Sequence, residues 1–378
     1  MAYNNSTKFL ILFGVTFAYS FVINAASNVN SLPYESIFNF GDSISDTGNE
    51  ASLPPPMSSN SPYGSTYFKH PSGRLSNGRL IIDFIAEAYG LPFLPAYKQL
   101  TTSQDIMKGV NFAFAGATAL DYNYFNKSGV NLPGTNNSLS VQLKMFRKFK
   151  HSLCKSKKEC QSYFKKSLFF FGEIGGNDLF SHISQNFSNF RNLRNLVPLV
   201  VKAITKTVKV IINKEGAVEL VVPGNFPIGC SASILLVVKG QTEKYNKFGC
   251  STTFNTVAEY FNDKLINSLN TLRENYPNAK IIYFDYYNAA KRLYEEPQQY
   301  GFDKSKTLEA CCGAGGPHNF DPRLGCGSPN TTVCSDPSKS INWDGFHFTE
   351  AAYRVIAKGL VEGPFAHPSL KQAPFIIA

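Results

Sequence analysis

The chain is 378 residues long and carries 37 lysines and arginines against 27 aspartates and glutamates, a formal net charge of +10. That length leaves room for two domains, but no Pro/Ser/Gly linker separates two self-sufficient halves and no internal repeat is present, so a single α/β domain is expected. The basic excess lies between Lys144 and Lys166 and between Arg191 and Lys214. Within the second run, Val197 to Ile204 has the pattern of an amphipathic helix with its lysine outward, which argues for a solvated basic face and against a nucleic-acid partner.

The first element is a leader. Met1 to Lys8 is polar with one basic residue, Phe9 to Ile23 is an apolar run of about 15 residues, and Asn24-Ala25-Ala26-Ser27 offers small residues for cleavage. The run is shorter than the roughly 20 residues a spanning helix needs, and nothing later resembles one. Residues 1–26 are therefore expected to be a secretory signal peptide and 27–378 the mature domain; loss of Lys8 takes the net charge from +10 to +9.

From there strands and helices alternate. Glu35 to Phe40 reads as a short buried strand, and Gly41 would release the chain into a turn that lifts Ser43 to the strand's carboxyl end, where open α/β sheets bind ligands. A helix is expected over Arg79 to Tyr89, then a strand over Val110 to Phe114 whose end, Ala115-Gly116-Ala117, can bring a backbone N–H close to a substrate because Gly116 has no side chain. Leu168 to Phe171 repeats this logic, running into Gly175-Gly176-Asn177-Asp178, where Asn177 offers an amide donor that does not titrate. Helices at Leu196–Asn213 and Thr253–Arg273 flank a strand at Val218–Val222, and Lys280–Phe284 is the fifth strand. Near the far end, Asp344-Gly345-Phe346-His347 leads into a helix over Thr349–Val361, with Thr349 as its cap. Such alternation gives a parallel sheet with helices on both faces.

Eight cysteines, Cys154, Cys160, Cys230, Cys250, Cys311, Cys312, Cys326 and Cys334, all follow the leader. An even number in a secreted chain points to disulfides rather than zinc. Connectivity is open: Cys154 with Cys160 and Cys230 with Cys250 are the local pairings, and the last four would staple the loop that precedes Asp344. Sequons at Asn126, Asn136, Asn186 and Asn330 mark surface positions open to glycans.

Taken singly, each glycine-rich block has an ordinary reading as a strand-to-helix turn. Together, Ser43, His347 and Asp344 are the residue types that activate a hydroxyl as a nucleophile, and Gly116 and Asn177 are the types that stabilise the resulting oxyanion. The four blocks Gly41-Asp42-Ser43-Ile44, Gly116, Gly175-Gly176-Asn177-Asp178 and Asp344-Gly345-Phe346-His347, in this order, resemble the GDSL or SGNH hydrolases, and among them the plant GDSL esterase/lipases. The resemblance implies a flavodoxin-like three-layer sandwich, Ser43 as nucleophile, His347 as base, Asp344 as its orienting carboxylate, and oxyanion donors from the Ser43 backbone, Gly116 and Asn177. Ile44 stands where the family name has leucine, a swap that conserves volume.

No Gly-x-Ser-x-Gly elbow surrounds Ser43, which separates the chain from the larger α/β-hydrolase class. No His-Glu-x-x-His run and no nucleotide fingerprint occur, so neither a metal nor a cofactor is expected. Loops Ala119–Gly134 and Phe226–Cys250 are the expected choosers of substrate. Context around Arg79–Ala86, Asp285–Ala289 and His347–Arg354 resembles the subgroup containing sinapine esterase and acetylajmalan esterase, which implies small-acyl esters of specialised metabolites. The alternatives are an acyltransferase with the same triad, a polysaccharide acetylesterase and a non-catalytic secreted binding glycoprotein. The expected partner is a small-molecule ester, with no membrane span, and the net charge permits weak attraction to acidic cell-wall polymers.

Overall fold

The computed structural model describes residues 32–53, 58–131, 134–185, 190–240 and 243–378. The stretch expected to be a signal peptide and Asn186 fall outside the described residues. The strands are β1 (Ser36–Phe40), β2 (Gly109–Asn111), β3 (Ser167–Phe171), β4 (Glu219–Pro223), β5 (Lys280–Phe284), the short pair β6 (Cys312–Gly313) and β7 (Thr332–Val333), and β8 (Ala366–His367). The helices are α1 (Ile81–Ala88), α2 (Tyr122–Ser128), α3 (Leu139–Phe149), α4 (Lys157–Phe164), α5 (Gly176–Gln185), α6 (Phe190–Val210), α7 (Ala232–Val238), α8 (Thr252–Asn275), α9 (Tyr286–Glu295) and α10 (Glu350–Val361).

The main sheet has the order β2-β1-β3-β4-β5-β8. Its first five strands pair in parallel and β8 closes the edge antiparallel to β5. This is the flavodoxin-like α/β sandwich. β1 and β3 are buried along their whole length, so they read as unbroken apolar runs rather than alternating ones. Alternate side chains still part to opposite faces. Phe38, Phe40, Phe169 and Phe171 pack against α3, α4, α6 and α8 on one side, whereas Ile37, Leu168, Phe170 and Val221 pack against α1, α9 and α10 on the other. Phe40 stacks on both Phe112 and Phe171, at 5.6 and 5.3 Å between ring centres, locking β1 between its neighbours.

The five parallel strands lie within two residues of where sequence patterning places them, except that the regular ladder of β2 ends at Asn111. Beyond it the chain stays beside β1, with the Phe112 N–H donating to the Asn39 carbonyl at 2.7 Å and the Phe114 N–H to the Gly41 carbonyl at 3.0 Å. In α6, Lys202, Lys206 and Lys209 are exposed and Val200, Val201, Ile204 and Val208 are buried, so the basic run is a solvated face. All eight cysteines pair, as Cys154–Cys160, Cys230–Cys250, Cys311–Cys334 and Cys312–Cys326. No helix among the described residues is long and apolar enough to cross a membrane.

One ion pair ties the start of α1 to α10, and a second ties α1 to the segment that precedes it. Arg79 binds Glu350 at 2.7 Å, and the Glu350 N–H donates to the Asn77 side chain at 2.8 Å. Arg74 grips Asp83 with two bonds of 2.7 Å, both side chains nearly removed from water, while Asp83 also accepts the Leu80 N–H at the start of α1. A bidentate pair of this kind is costly to break, because the orphaned carboxylate stays buried. Arg74→Ala is expected to lower unfolding stability by about 3–5 kcal/mol, read from chemical denaturation.

Candidate active site

Three loops leave the carboxyl ends of β1, β2 and β3 side by side, and each carries one sequence-predicted residue. Ser43 sits three residues past Phe40, in a turn gripped by the Gln142 side chain, which donates to the Gly41 carbonyl at 2.7 Å and accepts the Gly41 N–H at 2.9 Å. Gly116 follows the β2 strand with φ +75°, a left-handed backbone that suits glycine. Asn177 opens α5. Among the described residues, neither the Ser43 N–H nor the Gly116 N–H has a protein acceptor.

Buried acids bind these loops to one another. The Asp46 carboxylate accepts the N–H groups of Gly48, Asn49 and Glu50 and, across to the second loop, that of Ala115 at 2.9 Å. Asp178 accepts the Ala119 and Leu120 N–H groups at 2.8 and 3.0 Å, joining the third loop to the second. Asp42 accepts from the Ile44 N–H and from the Asn177 amide at 3.1 Å, joining the first to the third. The same Asn177 nitrogen lies 3.0 Å from the Ala117 carbonyl, so the amide is held at two points.

Burial dominates the protonation of these acids. It pushes Asp46 up to about 6 and Asp178 up to about 7, against the backbone N–H bonds that favour their charged forms. Asp42 and Glu173 are buried in side-chain contact; burial raises both, and the neighbouring Glu173 charge raises Asp42 further. Two carboxyls so placed resist being ionised together.

The fourth loop brings His347 to the same place. Its Nδ1 is 2.8 Å from Asp344 Oδ2. The three-residue link closes because Gly345, at φ +96°, curls the chain back, and a Cβ there would lie 2.4 Å from the Phe320 ring. Asp344 Oδ1 also accepts the Phe346 and His347 N–H groups at 3.1 and 2.9 Å, and Oδ2 accepts the Tyr63 hydroxyl at 2.6 Å. Burial pushes the Asp344 carboxyl up, but His347, Tyr63 and the Phe346 N–H outweigh it and hold the carboxyl below its ordinary value. An ionised Asp344 can only accept, so Nδ1 is the ring nitrogen that donates to it, the tautomer that leaves Nε2 as the acceptor in a neutral imidazole.

Around this loop the last four cysteines do what their position suggested. β6 carries Cys311's neighbour Cys312, and the Cys311 and Cys312 N–H groups donate to the carbonyls of Asn342 and Trp343 at 3.0 and 2.7 Å. Thr349 caps α10 by accepting the Ala352 N–H at 3.2 Å. The imidazole is thus held between a disulfide-stapled loop and a rigid helix.

Ser43, Gly116, Asn177 and His347 line one cavity of about 300 Å³. Asp344 stands behind His347 rather than in the wall. The remaining wall is largely apolar and aromatic, with Leu75, Phe180, Phe226, Ile228, Ile234, Phe346 and Phe348. Phe226–Cys250 supplies much of it, as expected, whereas among the described residues Ala119–Gly134 supplies none. Tyr63, Gln142 and Glu173 escape sequence reasoning, since each acts across a long sequence separation with no local pattern to mark it. Asn126, Asn136 and Asn330 are exposed.

A serine and a carboxylate-held histidine at the carboxyl edge of a parallel α/β sheet define a hydrolase of the acyl-transferring class. The model of the GDSL-like lipase/acylhydrolase family matches residues 37–360. GDSL esterase/lipase At5g45910 of Arabidopsis thaliana is 46% identical over 376 residues, covering 95% of this chain and 98% of that protein. GDSL esterase/lipase At1g28610 of the same plant is 44% identical over 92% of this chain and 91% of its own. The chain belongs to the GDSL-like lipase/acylhydrolase family and is a carboxylic ester hydrolase.

Asp178 generates a pH test. Its ordinary value is 3.8 and its folded value about 7. Between these the folded protein holds a proton that the unfolded chain has released, so its contribution is fully present below pH 3.8 and is lost as pH rises through about 7. Asp178→Asn is expected to flatten the fall in unfolding free energy between those limits, by an amount on the order of 4 kcal/mol. Denaturant melts of both proteins across that pH range measure it.

Proposed function

We propose that the protein is a secreted serine esterase that hydrolyses small-acyl esters of plant specialised metabolites through an acyl-enzyme on Ser43. The observation that carries this reading is the convergence of Ser43, Gly116, Asn177 and the Asp344-held His347 on one cavity. His347 Nε2 takes the Ser43 proton as Oγ adds to the ester carbonyl. The negative oxygen is received by the Ser43 and Gly116 N–H groups and the Asn177 amide, which gives up its contact with the Ala117 carbonyl. As the intermediate collapses, the ester C–O bond breaks and His347 returns its proton to the departing alcohol. Water then adds to the acyl-enzyme with His347 again as base, releasing the acid and restoring Ser43.

A small substrate is supported by the volume of about 300 Å³, at the lower end of ligand pockets. Secretion is supported by the leader and by four disulfides, which persist in oxidising compartments. Exposure of Asn126, Asn136 and Asn330 supports glycans there, and Asn186 carries the same sequon.

The test compares the mature protein with Ser43→Ala on p-nitrophenyl acetate, butyrate and palmitate. Acetate or butyrate is expected to be cleaved faster than palmitate, and the variant to lose at least about 10³-fold in kcat while remaining folded. Equal turnover by the two proteins, or preference for palmitate, overturns the nucleophile or the small-acyl assignment respectively. Asn177→Ala is expected to lower kcat about 10²–10³-fold with little change in KM, the signature of an interaction made in the transition state.

A further inference from the structure

Asn225 follows β4 and lines the cavity that holds Ser43 and His347. It is 1% exposed, and neither its Nδ2 nor its Oδ1 has a hydrogen-bond partner. Its backbone needs nothing from that side chain. The Asn225 N–H donates to Asn262 Oδ1 at 2.7 Å and its carbonyl accepts from Asn262 Nδ2 at 3.0 Å, a two-point clamp from α8. A buried carboxamide with both ends unpaired is destabilising and is found where some other group completes it.

We infer that Asn225 is a specificity-determining residue that selects esters bearing a ring with a hydroxyl group. A carboxamide offers donors on Nδ2 and an acceptor on Oδ1, and a hydroxyl answers both through one atom, accepting from the first and donating to the second. An ether or a bare carbonyl answers only the donor. The neighbouring wall specifies the rest. Phe226 is stacked on Tyr286 at 4.5 Å and meets Phe348 edge-on at 5.0 Å, and Phe346 is set edge-on between Phe180 and Phe320. Fixed aromatic faces of this kind suit a flat apolar ring. No charged side chain of the wall is a lysine or arginine, so an anionic group has no counter-ion there. The selected hydroxyl is therefore carried by a neutral ring, and an analogue without it leaves the carboxamide unpaired in the complex.

This inference rests on the esterase reading of the same cavity, and the experiment separates the two. Two matched ester pairs place the hydroxyl on either side of the reacting bond, insulated from it by two methylenes: p-hydroxyphenethyl acetate against phenethyl acetate, and methyl p-hydroxyhydrocinnamate against methyl hydrocinnamate. The native protein is expected to favour the hydroxylated member of one pair by about tenfold or more in kcat/KM, and Asn225→Leu to bring that ratio close to unity. No preference in either pair, or a preference that survives in Asn225→Leu, overturns the inference. Should the leucine variant fold poorly in a thermal melt, Asn225→Ala serves in its place, and the native ratio is decisive by itself when it is unity. If the native protein cleaves none of the four esters, p-nitrophenyl acetate separates the readings: the esterase reading fails only when that ester is not cleaved either. Calorimetry with p-hydroxyphenethyl and phenethyl alcohol then decides the role of Asn225: equal affinities overturn it, and a hydroxyl preference lost in the variant upholds it.

Discussion

The site depends on carboxylates buried beneath it. Each of Asp42, Asp46 and Asp178 starts in one loop at the carboxyl edge of the sheet and accepts a hydrogen bond from another: Asp46 from Ala115, Asp178 from Ala119 and Leu120, Asp42 from Asn177. The three loops are thereby tied pairwise into a closed triangle. Loops are ordinarily the least constrained part of a fold, since few backbone groups within them pair with one another. Here the unpaired N–H groups of one loop become the partners of an acid in the next, and the relative placement of Ser43, Gly116 and Asn177 follows from those bonds.

Acids are an expensive choice for such ties, because removing a carboxylate from water opposes folding unless hydrogen bonds replace its hydration. The balance is visible in the protonation of each. Asp46 collects four backbone N–H groups and rises to about 6, whereas Asp178 collects two from the neighbouring loop and rises to about 7. Asp344 differs in having an imidazole and a phenol as partners, which together with a backbone N–H outweigh burial and favour its ionised form. Acids of one chemical type thus divide into structural ties that hold a proton readily and one fixed negative charge behind the imidazole. Where charge is needed, the fold supplies Tyr63 and His347; where only geometry is needed, backbone N–H groups suffice.

This division explains which parts of the molecule were legible from sequence. The strands were, because a parallel sheet covered on both faces writes itself as short apolar runs such as Leu168–Phe171 and Val218–Val222. The convergence of Ser43, Gly116 and Asn177 was, because each sits in a block whose glycine marks a turn beyond a strand, and that of Asp344 and His347 was because Gly345 marks the turn before α10. Cys154–Cys160 and Cys230–Cys250 followed from proximity, while the nesting of Cys312–Cys326 inside Cys311–Cys334 was unreadable, as adjacent cysteines offer no order of preference. Tyr63 and Gln142 were also unreadable. Tyr63 reaches Asp344 across 281 positions and Gln142 reaches Gly41 across 101, and nothing in Ser61-Pro62-Tyr63 or in the face of α3 signals such a partner. Half of the substrate-loop expectation failed for a related reason. Ala119–Gly134 looked free to choose a substrate, but its first residues are consumed in binding Asp178, and among the described residues none of the segment lines the cavity.

Under the proposed function, substrate choice falls to the segment after β4. Gly224 and Asn225 are fixed by bonds to Phe284 and Asn262, so the chain enters the cavity at a defined point before it reaches the Cys230–Cys250 disulfide. Phe226 is then fixed by its stack on Tyr286 and its edge contact with Phe348, the residue after His347. The wall that meets the substrate and the loop that carries the imidazole therefore share an aromatic contact. A change of ring at Phe226 would alter both the shape of the pocket and the support behind His347, whereas a change at Asn225 acts on the pocket through an amide that supports no other group. Specificity in this fold is most separable from catalysis where a wall residue is held by its backbone alone.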